Sequence, residues 1–137
     1  MNKYVLDACA IVAVLNEEKG AESVRDLIDL AGNGSIAVYM NAVNLLEVYY
    51  GIYKAYDKDT AEDVLVHIYA SPIEIVETVS VDILREAGRL KSLYKISLAD
   101  SFAIAQASIL GGTLVTSDHH EIDIVDENED IAFQWFR

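Results

Sequence analysis

The sequence predicts an α/β domain in which a mostly parallel, five-stranded sheet carries helices on both faces. Three observations predict it. Short apolar runs of strand length alternate with longer stretches of helical spacing. The connections between them are short, and no internal repeat is present. Strands that alternate with helices in this way pair in parallel and are covered on both faces. The 137 residues amount to a single domain, 1–137.

Asn2 to Asp7 reads as a short buried strand, and Ala8 to Asn16 continues as an apolar helix with Asp7 at the junction. Gly20 to Ala31 sets Ala21, Val24, Leu27, Ile28 and Ala31 at helical spacing, and Gly32-Asn33-Gly34 stops it. Ser35 to Met40 is a second strand. Asn41 to Tyr56 is helical with a broad apolar face, and Asp57 to Ala70 is its antiparallel partner. Pro72 breaks the chain before a third strand near Ile73 to Glu77. Helices follow from Ser80 to Tyr94 and from Ser97 to Leu110, the second ended by Gly111-Gly112. Thr113 to Thr116 is the fourth strand, an acidic loop follows, and Ile131 to Trp135 is a fifth strand at the edge. In such sheets the site lies beyond the carboxyl ends of the strands, near a switch in strand order. Asp7 and Asp118 stand at two of those ends.

Composition narrows the function. Hydrophobic residues make up 53% and charged residues 24%, values of a soluble chain with a real core. The single Cys excludes an intramolecular disulfide framework and an all-cysteine metal site, and it suits a reducing compartment. Asp7 arrives too early for a signal-peptide core. The longest sparsely charged window, Ile96 to Ser117, is interrupted by Asp100, Gln106 and Gly111-Gly112 and makes a poor membrane span. A cytoplasmic protein with no membrane role is expected. Ten Lys+Arg against 23 Asp+Glu give a formal charge of −13, which argues against nucleic-acid binding by bulk charge. Distribution matters more than the sum: six of the ten basic residues are Lys54, Lys58, Arg85, Arg89, Lys91 and Lys95.

Four acids stand in otherwise apolar surroundings. Asp7 is the only charge from Tyr4 to Asn16, Glu47 the only one from Tyr39 to Tyr53, and Asp100 the only one from Ile96 to Ser117; Asp118 follows directly. An unpaired carboxylate taken out of water costs several kcal/mol, to order of magnitude, or stays protonated. No Lys or Arg lies in these windows to neutralise them. Convergence of all four on a divalent cation solves the problem, and hard oxygen donors without a Cys or His cluster favour Mg2+ or Mn2+ over Zn2+. Each acid also has an ordinary reading. Asp7 suits an N-cap, Ser97-Leu-Ala-Asp100 is close to a capping box, Asp118 suits a polar turn, and Glu47 would otherwise face solvent among apolar neighbours.

These residues resemble PIN-domain ribonucleases, most closely the single-domain VapC-type toxins of toxin–antitoxin modules, over nearly the whole length. The anchors are Val5-Leu-Asp7-Ala-Cys-Ala10, Val43-Asn-Leu-Leu-Glu47-Val-Tyr-Tyr-Gly51, Ile96-Ser-Leu-Ala-Asp100-Ser-Phe-Ala and Leu114-Val-Thr116-Ser-Asp118-His-His-Glu121. The resemblance implies a PIN-like three-layer sandwich with Asp7, Glu47, Asp100 and Asp118 around Mg2+ or Mn2+. It also implies RNA cleavage leaving 5′-phosphate and 3′-hydroxyl ends, a VapB-like antitoxin partner and a homodimer. One position departs: Cys9 stands where the family has Ser or Thr. A thiol is a poorer hydrogen-bond donor and a softer ligand than a hydroxyl; its ordinary reading is a small buried apolar residue. Thr116 matches the family hydroxyl before the last Asp.

Asp7 and Asp100 are the expected direct ligands, with Glu47 and Asp118 as further ligands or as the group orienting the nucleophile. Arg85/Arg89 and Lys91/Lys95, each at i,i+4, are expected to contact phosphates, with Arg89 and Lys95 as the substrate-binding pair; a solvated helix surface is the alternative. His119 and His120 read as loop surface groups. Tyr49, Tyr50, Tyr53 and Tyr56 share a helix and suit core or dimer packing. Other functions consistent with the sequence are a PIN nuclease of RNA processing outside a toxin–antitoxin module, a PIN-like scaffold used only for binding, and a Mg-binding receiver-type signalling domain. The last wants paired acids at the first strand end and a late Lys, and the chain has no Lys after Lys95.

Overall fold

A computed structural model describes residues 1–137. Five strands, β1 (Lys3–Leu6), β2 (Ala37–Asn41), β3 (Glu74–Val76), β4 (Thr113–Thr116) and β5 (Ala132–Trp135), form one sheet. Every pairing is parallel, in the order β3-β2-β1-β4-β5. The expected "mostly" parallel sheet is thus wholly parallel. This order also removes the receiver-type reading, whose doubly wound order is 2-1-3-4-5.

Seven helices cover the sheet: α1 (Ala8–Leu15), α2 (Ala21–Gly32), α3 (Ala42–Ala55), α4 (Lys58–Ala70), α5 (Val81–Leu93), α6 (Leu98–Leu110) and α7 (His119–Asn128). The alternation of strand side chains divides the core in two. Leu6, Met40 and Val115 pack with Ile11, Val24, Leu45 and Val48 from α1, α2 and α3. Val5 and Leu114 pack on the other face with Leu90, Ile104, Ile122 and Val125 from α5, α6 and α7. That is the expected three-layer arrangement.

The stretch after β4, read as an acidic loop, is the helix α7. Asp118 caps it, its carboxylate accepting the Glu121 N–H at 3.3 Å, and Ile122 and Val125 are fully buried one turn apart. Seven acids in thirteen residues masked a narrow apolar stripe, because the charges occupy the solvent side and leave the i,i+3 pair to the core. His119 and His120 accordingly open a helix. The His119 ring stacks on Trp135 at 4.0 Å, and its nitrogens meet Asp123 Oδ1 and the Arg137 carbonyl.

Tyr50 and Tyr53 on α3 and Tyr56 at its C-cap are exposed and take no part in the core; Tyr49 donates its hydroxyl to Glu62 on α4. No helix is long and apolar enough to cross a membrane.

Candidate active site

Chain direction reverses its progress across the sheet between β1 and β4, and the crevice beyond their carboxyl ends holds the acids. Asp7 directly follows β1 and caps α1: its Oδ1 accepts the Ala10 N–H at 3.0 Å. The same carboxylate sends Oδ2 into a buried position with no hydrogen-bond partner. Capping and site membership therefore coexist. Asp100 sits in the first turn of α6, whose cap is Ser97, its hydroxyl accepting the Asp100 N–H at 3.1 Å. Its Oδ2 is likewise buried and unpartnered. Asp118 lies two residues past β4, its N–H donated to Thr116 Oγ1 at 3.1 Å, so Thr116 orients the last acid through its backbone.

A further acid joins them. Oxygens of Asp100, Asp118 and Glu121 all lie within 4.8 Å of one another. Glu121 was not among the expected site residues, although an acid three places after an N-cap Asp returns to the cap side of the helix, a spacing visible in the sequence. Glu47, half-buried on α3, feels the charges of Asp118 and Glu121, which adds to burial in raising its pKa.

The electrostatics are those of negative charge without compensation. Asp7 is 1% exposed, and burial pushes its carboxyl up to about 6; the Thr116 hydroxyl and Ala10 N–H oppose this, and the Asp118 and Glu47 charges reinforce it. Asp100 is raised far above the usual carboxylate range, first by burial and then by the neighbouring carboxylates of Glu121 and Asp118. Glu121 moves the opposite way, held down by the Asp100 hydroxyl it accepts from. No lysine or arginine appears among the influences on Asp7, Asp100 or Glu47. Two orphaned, buried carboxylate oxygens in an all-oxygen donor set fit a hard divalent cation.

Cys9, half-buried near the start of α1, has its thiol pushed up to about 12 by burial and then by Asp7, Asp118, Asp100 and Glu47. Such a thiol stays protonated and unreactive at neutral pH.

Two buried amides, both absent from the sequence expectations, brace the helices that carry the acids. Asn41 caps α3 through Val43 N–H and donates from Nδ2 to Gln106 Oε1 of α6 at 3.1 Å. Asn44, fully buried one turn before Glu47, donates to the Ala99 carbonyl at 3.3 Å and leaves its Oδ1 unpartnered.

The expected phosphate-binding face is not assembled as a unit. The Arg89 guanidinium is gripped by Glu86 and Glu129, with N–O distances of 2.7 and 2.6 Å. Glu129 ends α7 and Asp118 starts it, so a helix about 15 Å long separates the Arg89 pair from the acids. Lys91 donates to the Ile96 carbonyl. Lys95 is exposed two residues before the Ser97 cap of α6, on the approach to Asp100.

A cluster of carboxylates at the switch point of a five-stranded parallel sheet marks an α/β domain with an acidic site. The PIN-domain family model matches residues 4–128, and the chain belongs to the PIN-domain family, a nuclease family. Among solved structures, the chain is similar to VapBC2 from Rickettsia felis bound to a DNA fragment from their promoter, at 21% identity over 97% of this chain and 98% of that one, TM-score 0.75. It is similar to DNA-bound VapBC from Salmonella typhimurium at 17% identity over the full length of both, TM-score 0.76. A third likeness is to VapC20 of Mycobacterium tuberculosis, described as a Sarcin-Ricin loop cleaving toxin, at 14% identity over 81% and 86% of the chains, TM-score 0.62. These likenesses establish the fold. No curated protein matches the chain.

Proposed function

We propose that the chain is a divalent-metal-dependent endoribonuclease acting as the toxin of a type II toxin–antitoxin pair. The observation that carries this reading is the pair of buried, unpartnered oxygens, Asp7 Oδ2 and Asp100 Oδ2, among acids whose mutual charges raise the pKa values of Asp7, Glu47 and Asp100. Asp7 and Asp100 would hold Mg2+ or Mn2+ directly, with Glu47, Asp118 and Glu121 completing the donor set. Such an ion, when bound, supplies an activated water and a positive charge for the phosphoryl oxygens.

The protein's own groups do the rest. The Glu121 N–H holds the Asp118 carboxylate and the Ala10 N–H holds that of Asp7, so neither carboxylate must be ordered during the reaction. Glu47, at the half-buried rim, is placed to orient the attacking water. Lys95 provides positive charge for a phosphate flanking the scissile bond, the role that the paired Arg89 cannot fill. The partner reading, a VapB-like antitoxin with a homodimeric toxin, is supported by the fold's likeness to proteins solved as VapBC complexes.

The test is incubation of structured RNA with Mn2+ and either the wild type or Asp7→Asn and Asp100→Asn. Cleavage to 5′-phosphate ends, lowered more than about a hundredfold in each variant, is expected for lost metal ligands. Equal cleavage by the variants, or none by the wild type with any divalent ion, overturns the reading.

A further inference from the structure

The protein buries three side-chain oxygens that have no hydrogen-bond partner: Asp7 Oδ2, Asp100 Oδ2 and Asn44 Oδ1. A cation accounts for the two carboxylates but not for the amide. Asn44 is fully buried in α3, and its side chain makes one hydrogen bond, from Nδ2 to the Ala99 carbonyl at 3.3 Å. Turning the amide over would set its oxygen against that carbonyl, so Nδ2 faces Ala99 and Oδ1 is left over.

For folding alone this is a poor choice of side chain. One neutral hydrogen bond gains less than a buried, orphaned amide oxygen costs, and asparagine is a weaker helix former than leucine or alanine. The pair Asn41–Gln106, which joins the same two helices, is the contrasting case. Asn41 Oδ1 accepts the Val43 N–H at 2.9 Å and Nδ2 donates to Gln106 Oε1 at 3.1 Å, so neither polar atom of Asn41 is orphaned. That pair already ties the start of α3 to the body of α6, nearly two turns beyond Asp100.

What Asn44 adds is placement. Ala99 directly precedes Asp100 in the first turn of α6, and Asn44 stands one turn before Glu47 on α3. We infer that the Asn44–Ala99 hydrogen bond is a positioning contact. It sets the first turn of α6, and with it the Asp100 carboxylate, against the turn of α3 that leads into Glu47, so that both acids serve one cation. This rests on the reading of the crevice as a metal site. Asn44 acts through Asp100 rather than as a ligand, in the way that groups behind a metal ligand fix its orientation.

Asn44→Leu removes the donor and the orphaned oxygen together and keeps a side chain branched at Cγ; Asn44→Ala does the same with less bulk. Calorimetric titration with Mn2+ and thermal melting of the metal-free full chain separate placement from packing. Both variants are expected to melt no more than about 3 °C below the wild type and to bind Mn2+ at least about tenfold more weakly. Gln106→Leu, which orphans Asn41 Nδ2, is expected to melt at least about 4 °C lower. Unchanged Mn2+ affinity in both Asn44 variants overturns the inference and leaves the metal site standing. A loss of melting temperature in both as large as that of Gln106→Leu also overturns it, since the amide is then needed for the fold itself. If the wild type binds neither Mn2+ nor Mg2+, the inference and the reading of the crevice fall together.

Discussion

Asp100 on α6 and Glu121 on α7, twenty-one positions apart in the chain, bring carboxylate oxygens within 4.8 Å of each other, and their opposite pKa shifts, up for Asp100 and down for Glu121, favour a proton on Asp100. The pair explains how the metal-free protein tolerates so many acids in one crevice: it neutralises one of them. Divalent-ion binding competes with that proton.

Removing the need to protonate a buried acid on folding stabilises the metal-free fold at the expense of function. Asp100→Asn should raise metal-free stability by about 1–3 kcal/mol at pH 7.5, read by thermal melting, while abolishing ion binding. A variant that is less stable than the wild type and still binds the ion contradicts the orphaned state of Asp100 Oδ2.

The pH dependence follows from Asp7. Its folded-state pKa of about 6 lies above the ordinary value of 3.8, so between these values the folded state holds more protons than the unfolded one. Its penalty is absent below about pH 4 and complete above the folded pKa. Metal-free stability should therefore rise by about 1–1.5 kcal/mol from this group as pH falls from 7 to 5. His119, raised by the Arg137 carbonyl and Asp123, acts in the same direction, its contribution being lost as pH rises through the folded pKa. Glu18, Glu86 and Glu129, held down by arginines, oppose this only in more acidic solution. Melting temperatures with and without saturating Mg2+ check this: the metal-free curve should peak near pH 5, and the ion should flatten it.

Arg89 and Lys95 have separable roles. Arg89→Ala should cost about 0.5–1 kcal/mol in stability through its two exposed ion pairs and leave RNA binding intact. Lys95→Glu should leave stability unchanged and raise the KM for RNA several-fold, with Mn2+ affinity retained. The reverse assignment of effects would place the phosphate contact on α5.

The C-terminus is fastened through a glycine. Gly20 has φ +89°, and a Cβ there would fall 2.1 Å from the Phe136 carbonyl oxygen. Phe136 is core, and Arg137 pairs with Glu18. Gly20→Ala should destabilise the protein by more than about 2 kcal/mol in denaturant unfolding, from backbone strain and displacement of the tail together.

The sequence exposed much of this arrangement. Strand-length apolar runs and Gly or Pro stops delimited every strand to within two residues, and single acids in long apolar windows pointed to Asp7, Glu47 and Asp100. What it concealed depends on three-dimensional neighbours. The helix α7 hid because its polar face outweighs Ile122 and Val125 in any count of charge. The pairing of Arg89 with Glu129 joins residues forty positions apart, so a basic i,i+4 pattern on α5 could not reveal that its charge is already matched. Asn44 and Gln106 hid because an amide on an apolar helix announces no partner.

Calorimetric titration of Mn2+ into the metal-free wild type and into Asp7→Asn and Asp100→Asn tests the central claim most directly. The crevice account predicts saturable binding by the wild type, with affinity reduced more than about a hundredfold in each variant although both stay folded. Binding of equal strength in all three proteins, or no binding by the wild type, would contradict it.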